Sequence, residues 1–336
     1  MRYRLVLLAL LCTVTACAQE SAPMQELPPI RTETLKVTSQ LVLLDASVTD
    51  KKTGKVIAGL TPDDFAIAED GVPQHISSLS QAHLPLSIVF LFDATDTVKP
   101  VLWPLAVGAR RVLNQLHEND EVEVASFSTH VTVVQKFTTD HARIVFALGD
   151  ASGIYDKERA TFIYEDLYEA TELAQAATVH DSRRVEVWLT DGTANYEAAD
   201  IRSNYGKGAP AVLHTQAEAA NLLGRSGVVV SALVQRSDLT EHQHNDPNSR
   251  FGDIEHFADV TGGPVQYTTA TEIVDKFGAL LDSLRQRYTL AYKPGQVKPA
   301  GTVCKLQLTL SPAFLANHPE IRAKDVVIRT RQSYTR

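Results

Sequence analysis

Five oxygen-bearing side chains are placed so that one cation could draw them together. Asp93-Ala94-Thr95-Asp96-Thr97 follows a nearly continuous apolar run over residues 86–92, and Thr190-Asp191-Gly192 follows a second buried-strand pattern over 184–189. Between them stands Thr161, in Ala160-Thr161-Phe162-Ile163-Tyr164-Glu165. In an extended turn, residues i, i+2 and i+4 point to the same side. Asp93, Thr95 and Thr97 can therefore converge, while Ala94 and Asp96 face elsewhere. Every donor is a carboxylate or a hydroxyl, with no imidazole or thiol in the set. Hard oxygen donors suit magnesium, calcium or manganese and argue against zinc or copper. So few carboxylates leave waters to fill the shell, which suits magnesium because it dehydrates reluctantly. Taken singly, each residue has an ordinary reading: Asp93 ends a strand, Thr97 or Thr161 caps a helix, and Asp191-Gly192 makes a turn. The order of the set and its place at strand ends point to a metal.

Such a set needs a sheet to hold it. Strand patterns over 86–92, 121–127, 131–137, 184–189, 228–234 and 265–267 alternate with helical patterns near 101–116, 140–149, 161–178, 211–224, 254–260 and 272–285. Ser128-Thr129-His130 joins two of the strands as a hairpin. This alternation predicts an α/β fold, a doubly wound and mainly parallel Rossmann-like sheet with right-handed crossovers, over residues 84–287. Ligands of such sheets sit beyond the carboxyl ends of the strands, where strand order reverses. Residues 34–80 and 288–336 read as β-rich, and Thr61-Pro62-Asp63-Asp64 reads as a capped single helical turn. Neither flank alone has enough strands for a stable sheet, so the two are expected to pair into one small sandwich-like unit with the α/β domain inserted between them.

The first residues read as an address. Arg2 and Arg4 precede a short apolar run, and residues 1–18 have the order of a signal peptide. Val14-Thr15-Ala16-Cys17 resembles a bacterial lipobox, which would lipidate Cys17; Ala16-Cys17-Ala18 equally fits ordinary cleavage before Gln19. Residues 19–33 are Pro-rich and polar, a flexible linker. The expected location is the periplasm or cell envelope, or outside the cell. Membrane contact would come through an N-terminal lipid anchor alone, since no later segment has the length and apolarity of a transmembrane helix. With Cys12 and Cys17 in or beside the removed segment, Cys304 lacks an internal partner. Neither a disulfide framework nor a thiolate metal site follows, and Cys304 reads as a half-buried thiol in an alternating strand. Over 336 residues, 44% hydrophobic and 21% charged content indicates a globular chain, and a net charge of −8 argues against nucleic acid as a partner.

The five positions Asp93, Thr95, Thr97, Thr161 and Asp191 resemble the metal-ion-dependent adhesion site of von Willebrand factor A domains. That pattern is Asp-x-Ser-x-Ser, a distant Thr, and an Asp in a strand-end Asp-Gly. The flanks resemble a narrower group, the VWFA-related proteins described from Acidobacteria, through Val48-Thr49-Asp50, Leu60-Thr61-Pro62-Asp63-Asp64-Phe65, Glu69-Asp70-Gly71, Gln74 and Arg287-Tyr288-Thr289-Leu290-Ala291-Tyr292. The resemblance spans nearly all of the mature chain. It implies that hydroxyls bind the metal directly and that aspartates act directly or through water. It further implies that an acidic group of a partner protein completes the shell, in an adhesion-type binding module that is not an enzyme. This chain departs by placing threonine at both serine positions, which adds a methyl and a stiffer χ1 at each. Two other classes compete. One is a metal-dependent phosphoester hydrolase, against which stand the absence of a general base beside Asp93 and of a phosphate-cradling glycine loop. The other is a metal-free envelope scaffold. Gly206-Lys207-Gly208 lacks phosphate-loop spacing, and residues 241–246 read as a polar loop without fixed ligand geometry.

Overall fold

In the computed structural model, residues 41–82, 84–94, 98–128, 130–154, 161–192, 214–235 and 253–336 are described, all within the unit Ser39–Arg336. The signal peptide and linker expected over 1–33, with Cys17, lie outside the described residues. So do Thr95, Thr97, Gly206-Lys207-Gly208 and the loop at 241–246. The chain begins with β1 (Val42–Asp50), a 3-10 turn at Pro62–Asp64, β2 (Phe65–Glu69), β3 (Val72–Gln74) and β4 (Ile76–Ser80). It continues through β5 (Leu86–Asp93), α1 (Lys99–Leu113), β6 (Glu121–Phe127), β7 (Val131–Thr138), α2 (His141–Ala151), α3 (Ile163–Gln175) and β8 (Arg183–Thr190). Then come α4 (Gln216–Ser226), β9 (Val229–Gln235), α5 (Asp253–Thr261), β10 (Val265–Thr268) and α6 (Ile273–Arg285). The last part holds β11 (Tyr288–Tyr292), β12 (Val303–Leu310), α7 (Pro312–Asn317), β13 (Val326–Thr330) and β14 (Ser333–Thr335).

The central sheet is six-stranded in the order β10-β9-β8-β5-β6-β7. All neighbours are parallel except β6 and β7, which form the expected antiparallel hairpin. Every residue of β5, β6 and β9 is buried, as helices on both faces require. Alternation along β5 then divides the core. Ile88, Phe90 and Phe92 face a layer with Leu105, Leu148 and Phe277 of α1, α2 and α6. Val89 and Leu91 face the other layer, with Leu167, Leu223 and Phe257 of α3, α4 and α5.

Beside this sheet, two four-stranded antiparallel sheets, β13-β1-β11-β4 and β14-β12-β2-β3, enclose a separate apolar core. Both draw strands from the two ends of the described chain, because β1 pairs with β11 and β2 with β12. The flanking motifs meet here. The Tyr288 hydroxyl donates to the Ile57 carbonyl at 2.8 Å and accepts from Leu60 N–H at 3.2 Å. The Tyr292 hydroxyl donates to Glu69 Oε2 at 2.7 Å, and Gly295 N–H donates to Gln74 Oε1 at 2.9 Å. Thr61 N–H and Oγ1 both donate to Asp64 Oδ2, closing the capped turn.

Two buried arginines join the sandwich to the α/β layers. Arg183 donates to Asp45 Oδ2 at 2.7 Å and to the Leu284 carbonyl at 2.7 Å. Arg287 donates to the carbonyls of Gly262, Asp45 and Arg329, and its burial brings it down to about 10.

Several elements differ from expectation. The helix expected from 161 starts at Ile163, and β3, α7 and β14 appear where no element was foreseen. Cys304, expected half-buried, is fully enclosed in the sandwich core. No helix among the described residues is long and apolar enough to cross a membrane.

Candidate metal centre

The chain leaves β5 for β6 on one side and later returns to place β8 on the other. Strand order therefore reverses between β5 and β8, the crevice where open α/β sheets bind ligands. Asp93 is the last residue of β5 and Asp191 the first after β8; they are 1% and 5% exposed. Parallel pairing, with Phe92 opposite Leu189, carries both carboxylates to the same edge. Thr190 Oγ1 lies 3.5 Å from Asp93 Oδ2, and Gly192 N–H donates to Thr190 Oγ1 at 3.0 Å. Gly192 has a φ of 82°, the left-handed region that favours glycine after the aspartate.

Thr161 arrives from a third direction. Phe162 N–H donates to the Ser128 carbonyl at 3.0 Å, and Ala94 N–H to the Phe127 carbonyl at 2.9 Å. The end of β6 thus holds both the exit from β5 and the entry to α3. Thr161 is buried, and it is not a helix cap, because Phe162 occupies that position with no side-chain hydrogen bond. The structure therefore gathers Asp93, Thr161 and Asp191 at one sheet edge. Thr95 and Thr97 lie outside the described residues.

Two features escaped the sequence reading. Asp166, in the first turns of α3, is fully buried, and neither carboxylate oxygen has a hydrogen-bond partner. Burial, followed by the charges of Glu169, Asp93 and Glu165, pushes its carboxyl well above the usual range, against a smaller pull from the Phe162 N–H, which is itself spent on the Ser128 carbonyl. The available signal was its spacing: Asp166 shares a helical stripe with the buried Ile163, Leu167 and Ala170. The second feature is the pair Glu165–His214. Glu165 Oε2 accepts from His214 N–H at 2.6 Å and lies 2.9 Å from His214 Nδ1, while the imidazole stacks on Tyr168 with centroids 3.5 Å apart. Forty-nine residues separate this pair in sequence, too far for any local pattern to show it.

The residues fit a hard divalent cation on two counts. The donors are oxygen atoms, and Asp166 leaves two buried oxygens unmatched within the field of Asp93. Another cluster looks similar but is already filled. Ligand atoms of Glu69, Asp70 and Cys304 lie within 4.8 Å of one another. Lys298 Nζ occupies that place, 2.9 Å from Glu69 Oε1 and 3.8 Å from Cys304 Sγ, and it also bonds Asp70. An ammonium already supplies the positive charge there.

No protein-family model matches the chain, and a search of curated proteins gives no match. Solved structures similar to it include a von Willebrand factor type A protein from Catenulispora acidiphila, at 11% identity and TM-score 0.42, covering 82% of this chain and 71% of that one. The vWF domain of the type V pili tip protein Mfa5 from Porphyromonas gingivalis has 11% identity and TM-score 0.41, covering 65% and 99%. The conserved hypothetical protein BatB from Bacteroides thetaiotaomicron has 11% identity and TM-score 0.39, covering 59% and 98%. Likeness at this level concerns the fold and carries no weight for the site. The fold class rests on the strand order itself, a doubly wound sheet in which every neighbouring pair but β6 and β7 is parallel.

Proposed function

We propose that the chain is an exported protein-binding module that holds a divalent cation at the β5–β8 edge and uses it to take an acidic side chain of a partner protein. Magnesium is the first choice of ion, with calcium and manganese as alternatives. One observation carries this reading: Asp93, Thr161 and Asp191, distant in sequence, arrive buried at the point where strand order reverses. The hydroxyls of Thr95, Thr97 and Thr161 would bind the ion, with Asp93 and Asp191 beside it directly or through water. The bound ion would supply a positive charge able to accept a carboxylate. This chain's residues orient that charge at the sheet edge, and the surrounding loops give specificity. The N-terminal pattern supports export, with Cys17 either lipidated or lost by cleavage before Gln19. The partner is a protein, not nucleic acid.

Thermal unfolding with EDTA, then with magnesium, calcium or manganese, tests this for wild type and Asp93→Ala. An ion held about 100-fold above its dissociation constant adds about 2.7 kcal/mol of stability. The expected result is a cation-dependent rise in the wild type that Asp93→Ala loses. A folded wild type indifferent to all three ions sinks the reading. Turnover of a phosphoester, abolished in Asp191→Ala, would replace it with the hydrolase.

A further inference from the structure

Asp166 has no place in the pattern that links Asp93, Thr161 and Asp191. Its acidic neighbours on α3 are both engaged. Glu165 holds His214, and Glu169 accepts from Val131 N–H at 2.7 Å. Asp166 alone among them has two oxygens without a hydrogen-bond partner, and it is 0% exposed. Its stripe on α3 otherwise carries Ile163, Leu167, Ala170 and Ala174, all part of the apolar layer under the sheet. Packing alone would place an apolar residue there, because an unpaired buried carboxylate opposes folding strongly. A cation close to it would remove that opposition. Its position answers this need, since α3 begins just after Thr161 enters the edge and packs against both β5 and β8, the strands that lead to Asp93 and Asp191.

We propose that Asp166 is a further acidic group of the cation site, supporting the ion held at Asp93 and Asp191 by its charge and through the ion's water shell. The inference rests on the metal reading given above. Its consequence is specific. Three carboxylates around one ion make the site favour higher cationic charge and hold the ion before any partner arrives. Asp166 is thus a positioning residue for the cation and need not touch the partner.

Isothermal titration of the full chain with manganese and with the trivalent ion terbium tests this. The variants are Asp166→Asn, which keeps the shape and removes the charge, and Asp166→Ala, should the amide disturb folding. Groups in the outer shell of a metal typically contribute about 10–100-fold in affinity. Both variants should therefore bind manganese at least about 10-fold more weakly, and terbium more weakly still, because the lost energy scales with ion charge. Circular dichroism confirms that each variant is folded. Unchanged manganese affinity in a folded variant, with the wild type binding normally, overturns the role of Asp166 and leaves the cation site standing. Equal losses for the two ions overturn it also, since distortion of the site would act without regard to charge. A wild type that binds neither ion overturns the cation site and this inference together.

Discussion

Glu186 should make the protein less stable as pH rises toward neutrality, and Glu186→Gln should remove that loss. The residue lies on β8, fully buried between the sheet and α3. Its Oε2 accepts from Trp188 Nε1 at 2.9 Å, and its Oε1 lies 2.8 Å from Thr171 Oγ1. Thr171 Oγ1 also lies 2.8 Å from the Leu167 carbonyl, yet a hydroxyl has one proton. When Glu186 is protonated, it donates to Thr171, Thr171 donates to Leu167, and every group is satisfied. When Glu186 is ionised, Thr171 must leave one acceptor unmatched. Burial raises the carboxyl from 4.5 to about 7, with the bonds from Trp188 and Thr171 opposing it. The native state therefore holds a proton that the unfolded chain has lost between these values. Stability is fully present below 4.5 and declines as pH rises to about 7. A gap of this size corresponds to about 3 kcal/mol, at about 1.4 kcal/mol per pH unit. Glutamine mimics the protonated acid, because its amide donates to Thr171 and its carbonyl accepts from Trp188. Urea unfolding followed by tryptophan fluorescence at pH 5 to 9 measures the difference. The variant should exceed the wild type by less than about 1 kcal/mol at pH 5 and by about 3 kcal/mol at pH 9. A difference independent of pH, or a wild type that gains on the variant as pH rises, would refute the reasoning.

Two substitutions probe the junction of the sandwich with the α/β layers. Arg183→Met leaves Asp45 without its main cation, although Thr289 Oγ1 still donates to it at 2.7 Å; breaking such a pair should cost about 3 kcal/mol in chemical denaturation. Gly262 has a φ of 76°, and an added Cβ would stand 2.4 Å from the Thr330 backbone. Gly262→Ala should therefore lose about 3 kcal/mol or more from backbone strain and overlap combined, read as a lower urea midpoint, and an unchanged midpoint would contradict the close approach.

The strands that build the site were readable because burial on both faces writes itself as continuous apolar sequence. Residues 86–92 are such a run, while 184–189 sets Arg184 and Glu186 among Val, Trp and Leu; β5 and β8 follow the two segments closely. Asp93 and Asp191 were found by type and by position just past those segments. The union of the two flanks followed from too few strands on either side. Which strands pair did not, since Val42 meets Tyr292 through contacts that no local pattern encodes. β3 and β14 span three residues each and α7 six, shorter than the window in which a period can be recognised. Asp166 was missed for a different reason. On α3 the residues around it read as packing, and a carboxylate among them reads as the solvated side of a helix. Its burial depends on β5, β6 and β8 closing over that face, which only the assembled fold reveals. The pairing of Glu165 with His214 was hidden in the same way.

The most direct test of the cation site is X-ray diffraction from crystals grown with manganese, with data collected for its anomalous signal. The expected result is a single strong peak at the carboxyl ends of β5 and β8, about 2.0–2.3 Å from hydroxyl or carboxylate oxygens of the set Asp93, Thr95, Thr97, Thr161 and Asp191. A peak found instead among Glu69, Asp70 and Cys304, or no peak at the β5–β8 edge at saturating manganese, would contradict it.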